Sequence, residues 1–68
     1  MTYEEIINAL IIKRIEKGWS QRELARQAGV SPMGINQIEN LSRKATVDFL
    51  IPICRALDFE LVLQEKQK

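Results

Sequence analysis

The stretch WSQRELARQAGVSPMGINQIEN, Trp19–Asn40, contains the signals for two short helices joined by a tight turn. Ser20 is followed three residues later by Glu23, a spacing that predicts a capping box in which each side chain satisfies a free backbone N–H. Gly29 follows the first of these helices and adopts the left-handed conformation of a helix end at little steric cost. The stretch therefore predicts one capped helix that ends in a glycine turn.

The second helix of the stretch is predicted to begin after Ser31, with Pro32 at the first helical position, where its missing N–H loses no hydrogen bond. The helical period directs Ile35 and Ile38 inward. The outward positions are rich in amides and comprise Met33, Gly34, Asn36, Gln37 and Asn40. Two capped helices around a glycine turn, the second with an amide-rich outer face, are typical of a helix-turn-helix.

Length and composition limit the other classes of protein. The 68 residues suffice for one domain, and no apolar run approaches the roughly 18–20 residues of a membrane span. The acidic start does not resemble a signal peptide, so we expect a cytoplasmic protein. The single cysteine, Cys54, excludes an internal disulfide and is predicted to be a buried core thiol. Because the chain has no histidine, we expect neither a metal site nor a cofactor.

Positive charge is concentrated around the helix-turn-helix. Residues 13–44 contain seven basic and three acidic side chains, a net charge of +4, whereas the remainder contains three basic and six acidic ones, a net charge of −3. The whole chain is only +1, so it does not resemble an indiscriminate nucleic-acid binder. The local excess is what a phosphate-facing surface requires.

Helices are also predicted on both sides of the motif. An apolar stripe and a Thr2 cap indicate a helix from about Tyr3 to Lys17. Another helix begins near Thr46, but Pro52 would remove a hydrogen bond from its interior. We expect either a kink near Asp48–Ile51 or a short turn followed by a helix from Ile51. The fold class is mainly α, with four to five helices.

The period of the sequence changes from 3.6 to 2 after residue 58. Phe59, Leu61 and Leu63 alternate with polar or smaller residues, the pattern of a short strand over residues 59–64. A single strand cannot satisfy its own backbone, so it either frays or pairs with the same strand of a second copy, and an antiparallel two-stranded ribbon fits a homodimer. We therefore predict a helix-turn-helix domain over 1–58 and a dimerisation strand with a polar tail over 59–68. The predicted dimer contacts are Phe59, Leu61, Val62 and Leu63.

The motif resembles the phage-repressor-type (xenobiotic-response-element type) helix-turn-helix family. Eleven positions match the family pattern without a gap: Ser20, Gln21, Leu24, Ala25, Ala28, Gly29, Val30, Ser31, Ile35, Glu39 and Asn40. The resemblance implies a lambda-repressor-like fold and a buried ion pair between Arg14 and Glu39. Members usually have glycine where Leu41 and Asp58 stand, so we expect the third helix to run slightly past Asn40.

The resemblance also implies how the chain binds DNA, with the third helix in the major groove. The implied base contacts are Met33 to a thymine methyl group and Gln37 to adenine, with Asn36 reaching a base or a phosphate. The implied backbone contacts are Gln21, Ser31, Asn40, Arg43 and Lys44, of which Ser31 could instead touch a base. These residues imply few direct hydrogen bonds to bases in each half-site. Specificity is therefore expected to depend also on DNA shape and on the spacing of two half-sites.

The C-terminal sequence RALDFELVLQEKQK is similar to that of HipB-like antitoxins. This resemblance implies a homodimer that binds a pseudo-palindromic operator, represses its own operon and binds a HipA-type kinase toxin. The alternative is a restriction-modification controller or a phage-type repressor with no toxin partner. A protein-interaction module that lost DNA binding is disfavoured by the amide-rich helix and the local positive charge. An enzyme is not expected, because the sequence has no paired carboxylates in an evident cleft and no phosphate loop.

Overall fold

The computed structural model describes residues 1–62, and these residues form four helices. The helices are α1 (Tyr3–Glu16), α2 (Gln21–Ala28), α3 (Pro32–Glu39) and α4 (Val47–Ala56). The prediction of a mainly helical fold is confirmed. In the described part of the chain, every helix is too short or too polar to cross a membrane.

A hydroxyl side chain caps the start of each helix, and the four capping residues are Thr2, Ser20, Ser31 and Thr46. Thr2 and Glu5 form both halves of a capping box. At α2 only one half forms: the Ser20 hydroxyl accepts from the Glu23 N–H at 3.0 Å. The predicted second half is wrong, because the Glu23 carboxylate instead accepts hydrogen bonds from Arg26.

Three left-handed residues follow helices α2, α3 and α4. Gly29 has φ 71°, as the sequence predicted for the turn of the motif. Leu41 has φ 63° and Asp58 has φ 64°, at two positions where glycine would carry no steric penalty. Because α3 ends at Glu39 and Leu41 already turns away, the expectation that this helix runs past Asn40 is wrong.

Helix α4 is continuous although Pro52 lies inside it. Of the two alternatives from the sequence, a turn followed by a new helix from Ile51 is therefore wrong. The Thr46 hydroxyl accepts from the Phe49 N–H at 3.2 Å and fixes the start of the helix at residue 47. The buried face of α4 comprises Leu50, Ile53 and Cys54. This burial offsets the single hydrogen bond that the proline removes.

All four helices contribute to one hydrophobic core. Helix α2 packs against both α3 and α4, and α1 packs against α3. The buried side chains are Ile7, Leu10, Leu24, Ala25, Ile35, Ile38, Leu50, Ile53, Cys54 and Leu57. Cys54 is a free thiol within this core, as predicted, and burial raises its pKa.

Gly34 lies on the inner side of α3, so the prediction that it faces outward is wrong. The residue is buried, and a Cβ atom built on it would lie 2.6 Å from Cζ of Phe49. The Phe49 ring of α4 thus packs directly on the backbone of α3. The absence of a side chain at residue 34 is what permits this approach of the two helices.

The chain after α4 turns at Asp58 and continues through Phe59–Val62 without regular secondary structure. The Phe59 N–H donates to the Cys54 carbonyl at 2.8 Å, which fixes where the segment leaves the helix. Leu63 and the rest of the predicted strand lie outside the described residues. Because that strand would need a second chain to pair with, it stays a prediction.

Candidate nucleic-acid interface

Four of the predicted DNA contacts lie on one side of α3. Residues 33, 36, 37 and 40 are separated by three or four positions, so their side chains line one helical face. We call Met33, Asn36, Gln37 and Asn40 the amide face. Met33 is 70% exposed, Asn36 and Asn40 are exposed, and Gln37 is half-buried. Three amides and one flexible apolar side chain can offer hydrogen bonds and apolar contact to base edges.

Gln21, the first residue of α2, bridges the core side of α3 to the amide face. Its Nε2 donates to Glu39 Oε1 at 2.9 Å, and its Oε1 accepts from Asn36 Nδ2 at 3.1 Å. Each of its polar atoms keeps one further hydrogen-bonding position, so Gln21 can still donate to a phosphate. The sequence predicted a DNA role for Gln21 but did not reveal these two partners.

Arg14 of α1 and Glu39 of α3 form a two-pronged ion pair. Arg14 Nε and Nη2 donate to the two carboxylate oxygens at 2.7 and 2.9 Å. The third nitrogen, Nη1, donates to the carbonyl of Trp19 at 2.7 Å. The side chains are only 13% and 9% exposed, so this largely buried pair joins α1, α3 and the approach to α2.

The loop after α3 bends back over the end of the amide face. The Ser42 N–H donates to Asn40 Oδ1 at 2.9 Å, and Arg43 Nη1 donates to Gln37 Oε1 at 3.4 Å. Lys44 lies 5.4 Å from the centre of the Tyr3 ring. Arg43 thereby lies at one end of the amide face, and the second exposed cation of the loop, Lys44, lies beside Tyr3 of α1.

Tyr3 and Ser42 were not among the predicted site residues, although both organise this loop. The Tyr3 hydroxyl accepts from the Ala45 N–H at 2.8 Å and ties the loop to the start of α1. No sequence signal pairs residues 3 and 45, which are 42 positions apart. The serine could have been suspected, since it follows an asparagine whose side chain commonly bonds the backbone two residues on.

The hydroxyl of Ser31 serves first as a helix cap, since it accepts from the Gly34 N–H at 2.9 Å. The residue is exposed, and its O–H remains able to donate to a phosphate oxygen. On α2, the hydrogen bond from Arg26 holds the pKa of Glu23 below its usual value. These two charges neutralise each other, so Arg22 is the cation of α2 without a carboxylate partner among residues 1–62.

A second feature is an apolar surface formed by the outer side of α1 and the segment after α4. We use the name apolar surface for Ile12, Ile15, Leu61 and Val62, which are 48–72% exposed. An open cavity of about 330 Å³ lies between α1 and this segment and is bounded by Leu61 and Val62. Phe59 and Ala9 line both this cavity and an adjoining one that reaches Ile12, so the surface is continuous from Val62 to Ile12.

The fold and the amide face define a helix-turn-helix protein of the DNA-binding type. Residues 10–63 match the family described as Helix-turn-helix, so the chain belongs to this family. It is a DNA-binding transcriptional regulator, and the resemblance to the phage-repressor type and to HipB-like proteins is confirmed.

Two relatives place the chain more closely. It is 36% identical over 64 residues to an uncharacterized HTH-type transcriptional regulator, y4dL, of Sinorhizobium fredii. That match covers 94% of the chain but only 33% of the relative, so the chain spans about a third of that protein. It is 29% identical over 59 residues to antitoxin HipB of Escherichia coli, covering 87% of the chain and 67% of HipB.

Solved structures that contain HipB have the same fold. A chain of a HipA–HipB–O2–O3 complex superimposes with a TM-score of 0.83 at 25% identity, covering 98% of this chain and 94% of that one. A chain of a HipB–O4 20mer complex gives the same TM-score and identity, with coverage of 98% and 94%. The likeness thus extends over nearly the whole length of both chains.

Proposed function

We propose that this regulator is a HipB-like antitoxin that represses its own operon. The observation that carries the proposal is the likeness, over 98% of this chain, to a chain of a complex that contains both HipA and HipB. The family match supports it, since it continues past the end of α4 to residue 63. We further propose that the protein acts in the cytoplasm, without a cofactor and without catalytic activity.

In this proposal α3 lies in the major groove and the amide face contacts base edges. Gln37 is the principal reader, because an amide can donate to and accept from adenine through N7 and N6. Met33 offers apolar contact to a thymine methyl group, and Asn36 reads a neighbouring base. The half-exposed position of Gln37 on the amide face, where its Oε1 accepts from Arg43 Nη1 at 3.4 Å, supports this assignment.

Backbone contacts surround the base readers. Arg43 and Lys44 neutralise phosphates and release counterions without reading sequence. Gln21, Ser31 and Asn40 donate hydrogen bonds to phosphates at the two ends of α3. These contacts fix the register of the helix on the duplex, and the exposure of four of the five residues supports the assignment.

The operator is proposed to be pseudo-palindromic because the protein is proposed to bind as a homodimer. Phe59, Leu61, Val62 and Leu63 would form the antiparallel strand that joins the two copies. The exposed apolar surface next to Phe59 supports a second copy as its cover. Two recognition helices related by a two-fold axis would contact half-sites about 34–36 Å apart.

Selection of binding sites from a randomised DNA duplex pool tests the DNA part of the proposal. The expected product is an inverted repeat with half-sites one helical turn apart. Gln37→Ala should lose about 1–3 kcal/mol of discrimination at one base pair in each half-site. Lys44→Ala is the matched control, which should weaken binding equally on all sequences and lower the salt dependence by about one ion. Uniform weakening by Gln37→Ala contradicts the readout role.

The toxin part is tested by the product of the neighbouring gene. A HipA-type kinase encoded beside this chain, whose toxicity the chain relieves on co-expression, is the expected result. Sedimentation of the full chain beside a version ending at Asp58 tests the dimer, which should become monomeric on truncation. A dimer that survives truncation, with no kinase gene beside it, favours a restriction-modification controller or a phage-type repressor instead.

A further inference from the structure

Polar side chains connect the buried ion pair to the amide face through one unbroken series of hydrogen bonds. Glu39 Oε1 accepts from Gln21 Nε2 at 2.9 Å, and Gln21 Oε1 accepts from Asn36 Nδ2 at 3.1 Å. Asn36 Oδ1 then accepts from Asn40 Nδ2 at 3.4 Å, and Asn40 Oδ1 accepts from the Ser42 N–H at 2.9 Å. We call these five residues the amide relay.

The group at each end of the amide relay has only one possible hydrogen-bonding role. The carboxylate of Glu39 can only accept hydrogen bonds, and the backbone N–H of Ser42 can only donate. An amide rotated by 180° anywhere between them would oppose N–H to N–H or oxygen to oxygen. The three amides are therefore held in one orientation, each donating toward Glu39 and accepting from the side of Ser42.

The carboxylate end of the relay is itself immobilised. Arg14 binds both oxygens of Glu39, and the carboxylate side chain is only 9% exposed. A charged acceptor makes a stronger hydrogen bond than a neutral one, so the first link, to Gln21, is the firmest. Orientation is thus imposed from the interior of the domain outward, through Gln21 to Asn36.

We propose that Gln21 is a positioning residue for Asn36, which it keeps in a single donor–acceptor orientation on the DNA-facing side of α3. An amide that rotates freely can exchange its donor and acceptor and so match more than one base edge. An amide held in one orientation rejects the base pairs whose donor and acceptor are reversed. The relay therefore sharpens the choice of the base pair that faces Asn36, a proposal that rests on α3 being the reading helix.

The test compares wild type with Gln21→Met, which keeps the length of the side chain and removes both polar groups. Gln27→Met is the matched control, since Gln27 also donates to a glutamate, Glu23, but stands outside the relay. Asn36→Ala and the double variant Gln21→Met/Asn36→Ala complete the set. Each protein is measured on the duplex that wild type selects from a randomised pool and on all its single-base variants.

The expected result is a loss of about tenfold in discrimination by Gln21→Met, confined to the base pair whose preference Asn36→Ala also relaxes. The double variant should discriminate no worse than Asn36→Ala there, and Gln27→Met should behave as wild type. In the free protein, the side-chain amide signals of Asn36 in a ¹H–¹⁵N spectrum should shift and narrow in Gln21→Met, as its rotation is released. That signal reports orientation without DNA and without depending on stability.

Two results overturn the proposal. In one, Gln21→Met only weakens binding equally on every duplex, as loss of its proposed phosphate contact would, and leaves the preference at the base pair facing Asn36 unchanged. In the other, Asn36→Ala changes no base preference. Failure of the wild-type protein to select any sequence would instead contradict the proposed operator binding, so the two failures are distinguishable.

Discussion

The amide face and the apolar surface differ in how much of their order comes from a single chain. On the amide face, each side-chain amide already has an intrachain partner, and the series ends at the buried ion pair. On the apolar surface, Ile15 is 61% exposed and Val62 is 72% exposed. Side chains that are already ordered lose less entropy on binding. Exposed apolar side chains contribute favourable free energy only when another surface covers them and removes them from water. One surface is therefore ordered within a single chain, and the other is left exposed by it.

The largest effect is expected from loss of the Glu39 carboxylate, which anchors the hydrogen bonds that order the amide face. Glu39→Met leaves the Arg14 guanidinium buried with one carbonyl partner, so the free energy of unfolding should fall by about 3 kcal/mol. Urea unfolding at neutral pH measures this loss. The double variant Arg14→Met/Glu39→Met removes both charges and should recover most of it. A double variant no more stable than the single one would contradict this account of the pair.

A charge on the apolar surface should weaken the proposed pairing of two copies. Val62→Glu should raise the dimer dissociation constant by at least about tenfold, or 1.4 kcal/mol, because a carboxylate would have to be buried at the seam. Sedimentation equilibrium measures this constant. Val47→Glu is the matched control, since Val47 is 65% exposed at the start of α4, away from the apolar surface. Equal effects of the two substitutions would show that the seam lies elsewhere.

The turn at the end of the amide face should be strained, because Leu41 has a left-handed backbone conformation. Leu41→Gly removes the steric penalty of φ 63° from a residue that is 47% exposed. The domain should gain about 1 kcal/mol, and Tm should rise by about 4–8 °C. Leu41→Ala is the control, which keeps the Cβ atom and should gain nothing. Thermal unfolding followed by circular dichroism distinguishes them, and equal Tm values would refute the strain.

The smallest effect is expected from the ion pair between Lys17 and Asp58, which lies just before the segment 59–62. Lys17 Nζ lies 2.8 Å from Asp58 Oδ2, and its hydrogen bond lowers the pKa of that carboxyl below the usual 3.8. This stabilisation is present above the unfolded pKa and is lost as pH falls through the lower folded value. Asp58→Asn keeps a residue that tolerates φ 64° and removes only the charge.

Tm measured from pH 7 to pH 2 checks the Asp58 prediction. Asp58→Asn should be slightly less stable than wild type at neutral pH, and the difference should close at the acid end. Lys17→Met/Asp58→Asn should have the same shape of pH profile as Asp58→Asn, since no carboxyl remains at this position. A difference that widens toward low pH would contradict the sign.

Much of the fold could be predicted because its signals are local. The caps at Ser31 and Thr46 and the left-handed Gly29 follow from residue types at fixed spacings. The contact between Arg14 and Glu39 spans 25 positions, and the family resemblance suggested it. The alternative of a new helix from Ile51 was wrong for the opposite reason: the local penalty of Pro52 is real, but the core contacts of α4 outweigh it.

The sequence alone was sufficient to predict the starts of α2 and α3, the inward direction of Ile35 and Ile38 and the region of positive charge, because these depend on the few neighbouring residues that set backbone propensity and periodicity. It did not predict the end of α3 or the inward position of Gly34. Only the tertiary structure decided that Gln21 links Glu39 to Asn36 and that Phe59, Leu61 and Val62 lie beside α1. Hydrogen bonds need atoms within about 3 Å and in a given direction, and no spacing along one helix encodes the distance to a side chain on another helix.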